Sequence, residues 1–163
     1  MEIHRIHPDG ALFVSGEIDD WDLIRAHRID TIIDLDGGID DGIPEAANQI
    51  LYVYFPINDD EDLPNASKLD ALGRFIASLV DARHAVLIHC LIGLNRSNLV
   101  AAMALTYLGL SGVEAVRRLQ SVQPAALYND AFANYAASLP ARRVRIEHIE
   151  SSETTDLVEI REE

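Results

Sequence analysis

Apolar residues recur along this chain with two periods, and the switches between them mark out its elements. Glu2–His7 and Ala11–Ser15 read as short strands on either side of a Pro8-Asp9-Gly10 turn. Asp19 or Asp20 can cap a short helix running to His27. Thr31-Ile32-Ile33 is β-branched and apolar and gives way to Asp-Leu-Asp-Gly-Gly, the pattern of a buried strand ending in a loop. Ile50–Phe55 is a further strand, and Asn58–Asn65 is a polar loop. Leu69, Leu72, Phe75, Ile76, Leu79 and Val80 then follow the three-to-four spacing of an amphipathic helix. Ala85–His89 is a short apolar run of the kind buried on both faces of a parallel sheet. After a turn over 91–97, Asn98–Leu108 is apolar nearly all round, which predicts a helix in the middle of the molecule. Ser111-Gly-Val-Glu114 is a capping box that opens a helix running to Val122. Pro124 interrupts, and Asn129–Leu139 supplies a last helix. This order predicts an α/β fold with a central mixed, largely parallel sheet flanked by helices.

The length of 163 residues corresponds to one domain, expected over 1–140, with a tail over 141–163. Glu147–Glu163 carries acids at seven positions and a single Arg, so the tail is acidic; Val144–Ile149 could dock as a strand. Thirteen Lys and Arg stand against 27 Asp and Glu, a formal charge of −14. That balance supplies no footprint for nucleic acid and no attraction to an anionic membrane, so neither is expected as a partner. The acidity is concentrated: from Asp34 to Asp62 there is no Lys or Arg. One cysteine excludes an internal disulfide, and MEIHRIHPDG has no apolar core of a signal peptide, so a cytoplasmic setting is expected.

That cysteine sits where chemistry is expected. In His89-Cys90-Leu91-Ile92-Gly93-Leu94-Asn95-Arg96-Ser97 a strand ends, a short loop intervenes and a helix begins. A loop wrapped between Cys90 and Arg96 would turn successive backbone N–H groups inward as an anion nest, helped by the N-terminus of the following helix. Gly93 can adopt positive φ at its centre. Arg96 can return to grip two oxygens of a phosphate. The same field favours the thiolate of Cys90, and a thiolate beneath a trapped phosphate is positioned to attack phosphorus.

His89-Cys90-x-x-Gly93-x-x-Arg96-Ser97 resembles the signature of the cysteine-dependent protein tyrosine phosphatases, and the chain length resembles that of the small dual-specificity phosphatases. The similarity extends over most of 10–140, including Leu23–Asp36 and Tyr128-Asn129-Asp130-Ala131-Phe132. The resemblance implies a protein tyrosine phosphatase-like fold and a phosphoprotein phosphatase acting on phosphotyrosine, with phosphoserine and phosphothreonine as further substrates. It implies Cys90 as nucleophile of a phosphocysteine intermediate. Leu91, Ile92, Gly93, Leu94, Asn95 and Arg96 would hold phosphate-like anions, Ser97 would help Cys90 leave, and His89 would order the loop. It also implies an acid about thirty residues ahead of the cysteine. Phe55-Pro56-Ile57-Asn58-Asp59-Asp60-Glu61-Asp62 occupies that place, with Asp59 matching the pattern best and Asp60 second.

Two departures stand out. Gln123-Pro124 stands where the family often has Arg before the proline, an arginine read as structural. The interior of the loop has no Lys, which argues against polyanionic substrates. Asn95-Arg96 resembles the loop of the RNA 5′-triphosphatase branch, but the acidity of the chain argues against RNA. A phospho-residue binding module using the same loop is the rival from another class. No cofactor is expected. Asp34-Leu-Asp36-Gly-Gly-Ile-Asp40-Asp41 lacks the spacing of a calcium loop, and the six histidines have no metal-ligand spacing in sequence. Trp21 and Tyr107 read as packing residues.

Overall fold

In the computed structural model, which describes residues 1–7, 11–45 and 47–143, the elements are five strands and five helices. The strands are β1 (Ile3–Arg5), β2 (Leu12–Ser15), β3 (Thr31–Asp34), β4 (Leu51–Tyr54) and β5 (Val86–His89). The helices are α1 (Trp21–Ala26), α2 (Ala66–Asp81), α3 (Arg96–Tyr107), α4 (Gly112–Val122) and α5 (Asp130–Ser138). The sheet order is β1-β2-β5-β3-β4, with β1 antiparallel at the edge and the other four strands mutually parallel. This is the mixed, largely parallel sheet that the alternation of apolar strands and helices predicts. The Pro8-Asp9-Gly10 turn and the strand expected through Val144–Ile149 lie outside the described residues.

Because side chains alternate across a strand, the sheet feeds two cores. Leu12, Val14, Ile33, Val86 and Ile88 join the larger one with α2, α3, α4 and α5, whereas Phe13, Ile32 and Leu87 join Ile18, Ile24 and Ile29 around α1. The all-apolar helix is central: every residue of α3 from Ser97 to Thr106 is buried. It lies against α2 at very short range. A Cβ on Gly73 would stand 2.8 Å from Met103 Cβ, so only glycine permits this approach. Ser111 and Glu114 form the reciprocal capping box at α4.

The chain beyond α5 is tied down by charge. Arg142 donates to Asp70 and to the Tyr107 hydroxyl, and its guanidinium lies 5.0 Å from the centroid of the Tyr107 ring. Its backbone N–H donates to Thr106 O at 2.8 Å, and Arg143 forms a bridge with Leu108. Tyr107 is therefore both a packing residue and a hydrogen-bonding one. Trp21, the other aromatic read as packing, donates from Nε1 to Asp41 O at 2.9 Å.

The functional region follows from the parallel arrangement. Four strands run the same way, so the loops after β3, β4 and β5 emerge at one edge of the sheet. Their first residues continue the ladder: Leu35 N–H donates to His89 O at 3.1 Å and Phe55 N–H to Asp34 O at 2.8 Å. Residues far apart in sequence thereby converge where β5 delivers Cys90.

Candidate functional site

The segment from Cys90 to Arg96 leaves β5, turns and enters α3, and its backbone is bound from outside. Glu17 N–H donates to Leu91 O at 3.2 Å, and Leu127 N–H donates to Leu94 O at 2.8 Å. The buried amide of Asn98 donates to Gly93 O at 2.9 Å and Leu94 O at 3.1 Å, and also to Gln123 Oε1 at 3.1 Å. With these carbonyls held on the outer side, an N–H is directed inward: Gly93 N–H donates to Cys90 Sγ at 3.3 Å. Ser97 Oγ lies 3.5 Å from the same sulfur. Cys90 is 2% exposed and forms the floor of the loop, its thiol turned into it rather than into the core alone.

Gly93 is required twice over. Its φ is +78°, and a Cβ there would stand 2.5 Å from Gly16 N and 2.6 Å from Ser15 C, where the loop crosses the end of β2. Leu91 and Ile92 are exposed beside it, and Asn95 and Ser97 are buried.

Helix α3 begins at Arg96, two residues before the apolar run predicts. Its N-cap residue is Asn95, a type that ordinarily accepts from the first-turn amides, yet Asn95 makes no cap hydrogen bond. Its side chain is committed elsewhere. Asn95 Nδ2 donates to both oxygens of Asp59, at 2.9 and 3.2 Å, and Asn95 Oδ1 accepts from Asn129 N–H at 3.0 Å. The first-turn amides of α3 are thus left without the side-chain partner that would compete with an anion.

Arg96 closes the loop from above the β3 and β4 ends. Its Nη1 donates to Asp36 Oδ1 at 3.0 Å, Leu35 O at 3.2 Å and Ile57 O at 3.3 Å. Those three acceptors fix one corner of the guanidinium. Its Nε is buried and has no hydrogen-bond partner. A guanidinium anchored through one nitrogen while a second buried N–H stays unsatisfied suits an incoming oxyanion.

Of the two carboxylates weighed from the sequence, Asp59 is the one joined to the loop. Besides the two bonds from Asn95 it accepts from Asn129 Nδ2 at 3.0 Å. Asp60 is exposed; its backbone oxygen accepts from Asn129 Nδ2 at 2.8 Å and its Oδ1 from Asp62 N–H at 3.1 Å. A cavity of about 610 Å³ opens beside this group, lined by Asp59, Asp60, Glu61, Asn95, Tyr128, Asn129, Asp130 and Ala131. It borders the loop at Asn95 and Asp59, and neither Cys90 nor Arg96 lines it.

His89 is placed differently from the other motif residues. Its ring is fully buried and has no hydrogen-bond partner, and its backbone carbonyl ties β5 to Leu35. Nε2 faces Asp40 Oδ2 at 3.0 Å and Asp34 Oδ1 at 3.7 Å. The Tyr52 hydroxyl completes the group, 2.6 Å from Asp34 Oδ2 and 2.9 Å from Asp40 Oδ2. Burial, and then the bond to Asp34, push the Tyr52 phenol far above its ordinary value, so it remains protonated.

The structure therefore gathers Cys90, Leu91, Ile92, Gly93, Leu94, Asn95, Arg96, Ser97 and Asp59 at one edge of the sheet. Sequence reasoning did not single out Asp36, Asn98, Gln123 or Asn129 as contributors. Asn98 carried a signal, a polar amide at the head of an otherwise apolar helix. Gln123, noted only as a departure from Arg, accepts the third bond of that amide. Asp36 had none, because its partner Arg96 is sixty residues away.

A family model described as dual specificity phosphatase, catalytic domain, matches residues 14–136. Among solved structures, the phosphatase domain of Yvh1 from Chaetomium thermophilum is 26% identical with a TM-score of 0.69, over 83% of this chain and 94% of that one. Human DUSP28 is 23% identical with a TM-score of 0.66, over 82% of this chain and 89% of that one. A human tyrosine phosphatase-like serine/threonine/tyrosine-interacting protein is 20% identical with a TM-score of 0.66, over 82% of this chain and 92% of that one. At these identities the last two show a common fold alone. No curated protein matches the sequence at a significant level. Among the described residues no helix is long and apolar enough to cross a membrane.

Proposed function

The chain belongs to the dual specificity phosphatases, the family matched over residues 14–136, and from that premise we propose that it hydrolyses phosphotyrosine in proteins through a phosphocysteine intermediate on Cys90. Phosphoserine and phosphothreonine are reached by the same chemistry. The observation that carries this reading is the pairing of a thiol at the floor of the loop with a guanidinium whose buried Nε lacks a partner.

In the first step the sulfur anion of Cys90 attacks phosphorus and the bond from phosphorus to the tyrosyl oxygen breaks. The amides of residues 91–96 and the free edge of Arg96 hold the three non-bridging oxygens, over which charge is spread in the transition state. The departing oxygen takes a proton from Asp59. In the second step Asp59, now ionised, accepts a proton from water, which attacks phosphorus and breaks the phosphorus–sulfur bond. Ser97 donates a hydrogen bond to the sulfur as it leaves as an anion, and inorganic phosphate departs. The bonds from Asn95 and Asn129 to Asp59 support its assignment over Asp60, because they fix it to the loop that carries the phosphoryl group.

The surroundings favour proteins over polyanions as substrates. No Lys lies in the loop, and Asp59, Asp60, Glu61 and Asp130 make the adjoining cavity acidic. Basic residues flanking the phosphorylated one suit that charge, and nucleic acid and anionic membranes do not. A lone reduced thiol fits an intracellular setting.

The test is Cys90→Ser assayed with p-nitrophenyl phosphate. Loss of turnover with retained binding of inorganic phosphate is expected. Undiminished turnover rules Cys90 out as nucleophile.

A further inference from the structure

Behind the loop, on the far side of residue 89, lies a group of side chains that the phosphatase chemistry does not use. Asp34 ends β3, Asp40 follows in the next loop, Tyr52 comes from β4 and His89 ends β5. Asp34 and His89 are fully buried and the Asp40 side chain is 7% exposed. One oxygen of each carboxylate and one ring nitrogen of His89 all lie within 4.8 Å of one another.

Asp34 Oδ1 already accepts from Asp36 N–H at 2.9 Å, which leaves the Tyr52 hydroxyl between Asp34 Oδ2 and Asp40 Oδ2. The Tyr52 oxygen accepts from Asp40 N–H at 3.1 Å and has a single hydrogen to give, yet a carboxylate oxygen stands on either side, at 2.6 and 2.9 Å. His89 Nε2 is 3.0 Å from Asp40 Oδ2, but the contact has no hydrogen-bonding geometry, and neither ring nitrogen has a hydrogen-bond partner. Two carboxylates are therefore held close together with little access to water, and a basic side chain, His89, faces both. A buried imidazole nitrogen faces them without bonding to either.

We propose that Asp34, Asp40 and His89, with the Tyr52 oxygen as a fourth donor, form a binding site for one divalent transition-metal cation. A cation uses the imidazole lone pair and both carboxylates at once, and so satisfies the groups that a single proton leaves in conflict. Donors about 2.1 Å from a metal stand roughly 3 Å apart around its coordination sphere, as His89 Nε2 and Asp40 Oδ2 do. One imidazole with hard oxygens suits zinc, cobalt or manganese better than calcium. The linear sequence hides the site, because its donors come from three strands and a loop rather than from one spaced motif. Bound there, the cation would fix the residue that immediately precedes Cys90.

The experiment uses a Cys90→Ser parent, so that the loop thiol cannot bind the probe. Equilibrium dialysis against Zn²⁺ is expected to give one tight site per chain. Asp40→Asn in the same parent should weaken it by more than about tenfold. Trp21, whose Nε1 donates to Asp41 O, supplies a local fluorescence readout of the same titration. No saturable site in the parent, or a site that Asp40→Asn leaves unchanged, overturns the proposal. If Asp40→Asn does not fold, stoichiometric Co²⁺ added to the parent decides instead. Visible ligand-field bands that Tyr52→Phe perturbs support the site, and their absence, or insensitivity to that change, contradicts it.

Discussion

The side-chain amide of Asn95 donates to both carboxylate oxygens of Asp59, at 2.9 and 3.2 Å, and so couples the Cys90–Arg96 loop to the loop after β4. That bond comes at the expense of capping α3, and both consequences serve one end. The carboxylate is held beside that loop, and the first turn of the helix stays open to an anion. Asn95→Ala is expected to lower kcat about tenfold or more with a smaller change in KM, because it misplaces the acid rather than the phosphate. Steady-state kinetics with good and poor leaving groups checks this: the loss should grow as the leaving group worsens.

Asp59→Asn removes the proton itself and should cost about 10²–10⁴ in kcat with an aryl phosphate of high leaving-group pKa. It should also abolish the alkaline limb of the pH–rate profile. Asp60→Asn should leave both nearly unchanged. A reversed pattern would transfer the acid role to Asp60.

The contact between Gly93 and the end of β2 makes Gly93→Ala a test of the loop's shape. The new Cβ would meet Gly16 N and Ser15 C at 2.5 and 2.6 Å, both backbone atoms that cannot swing aside. Phosphate binding and turnover should fall together, read by isothermal titration and by kcat/KM, while circular dichroism reports a helical content close to that of the unaltered chain.

Much of this architecture was legible in the sequence because its signals are local. The apolar run of β5, the all-apolar α3 and the capping box at Ser111 each declare themselves within a dozen residues. The motif from His89 to Ser97 does so within nine. What the sequence concealed is relational. Asp36 meets Arg96 only because β3 and β5 pair in register, and Asn129 meets Asp59 only because α5 begins under the β4 loop. Asn95 reads as part of the 91–97 turn in sequence, and nothing local says that its amide is taken by a carboxylate 36 residues away.

The acids around the cavity beside Asn95 should make substrate choice depend on charge. Phosphotyrosine peptides with flanking Arg or Lys are expected to show higher kcat/KM than acidic ones of the same length. The preference should shrink as salt is raised from about 0.01 to 0.15 M, across which the screening length falls from roughly 30 to 8 Å. A preference indifferent to salt would assign the selectivity to contacts other than charge.

The cluster at the end of the described chain gives a pH dependence of stability. The hydrogen bond from Tyr107, and then Arg142, hold the Asp70 carboxyl below its ordinary value of 3.8. A carboxyl lowered in the folded state stabilises the fold above its unfolded pKa, and that contribution is lost as pH falls through the folded value. Asp70 is more than a third exposed, so the effect is modest. The Tm of the unaltered chain should exceed that of Asp70→Asn at neutral pH, and the two should converge as the pH drops below the ordinary carboxylate range. Thermal melts across that range measure it.

The central claim is that sulfur, not water, first attacks phosphorus. Rapid acid quench of Asp59→Asn during turnover of an aryl phosphate, followed by peptide mass spectrometry, tests it most directly. The expected result is a phosphoryl group on the Cys90 peptide that is absent from the Cys90→Ser, Asp59→Asn double variant. Turnover by a chain that never carries phosphate on Cys90, and that survives its replacement by serine, would contradict the account.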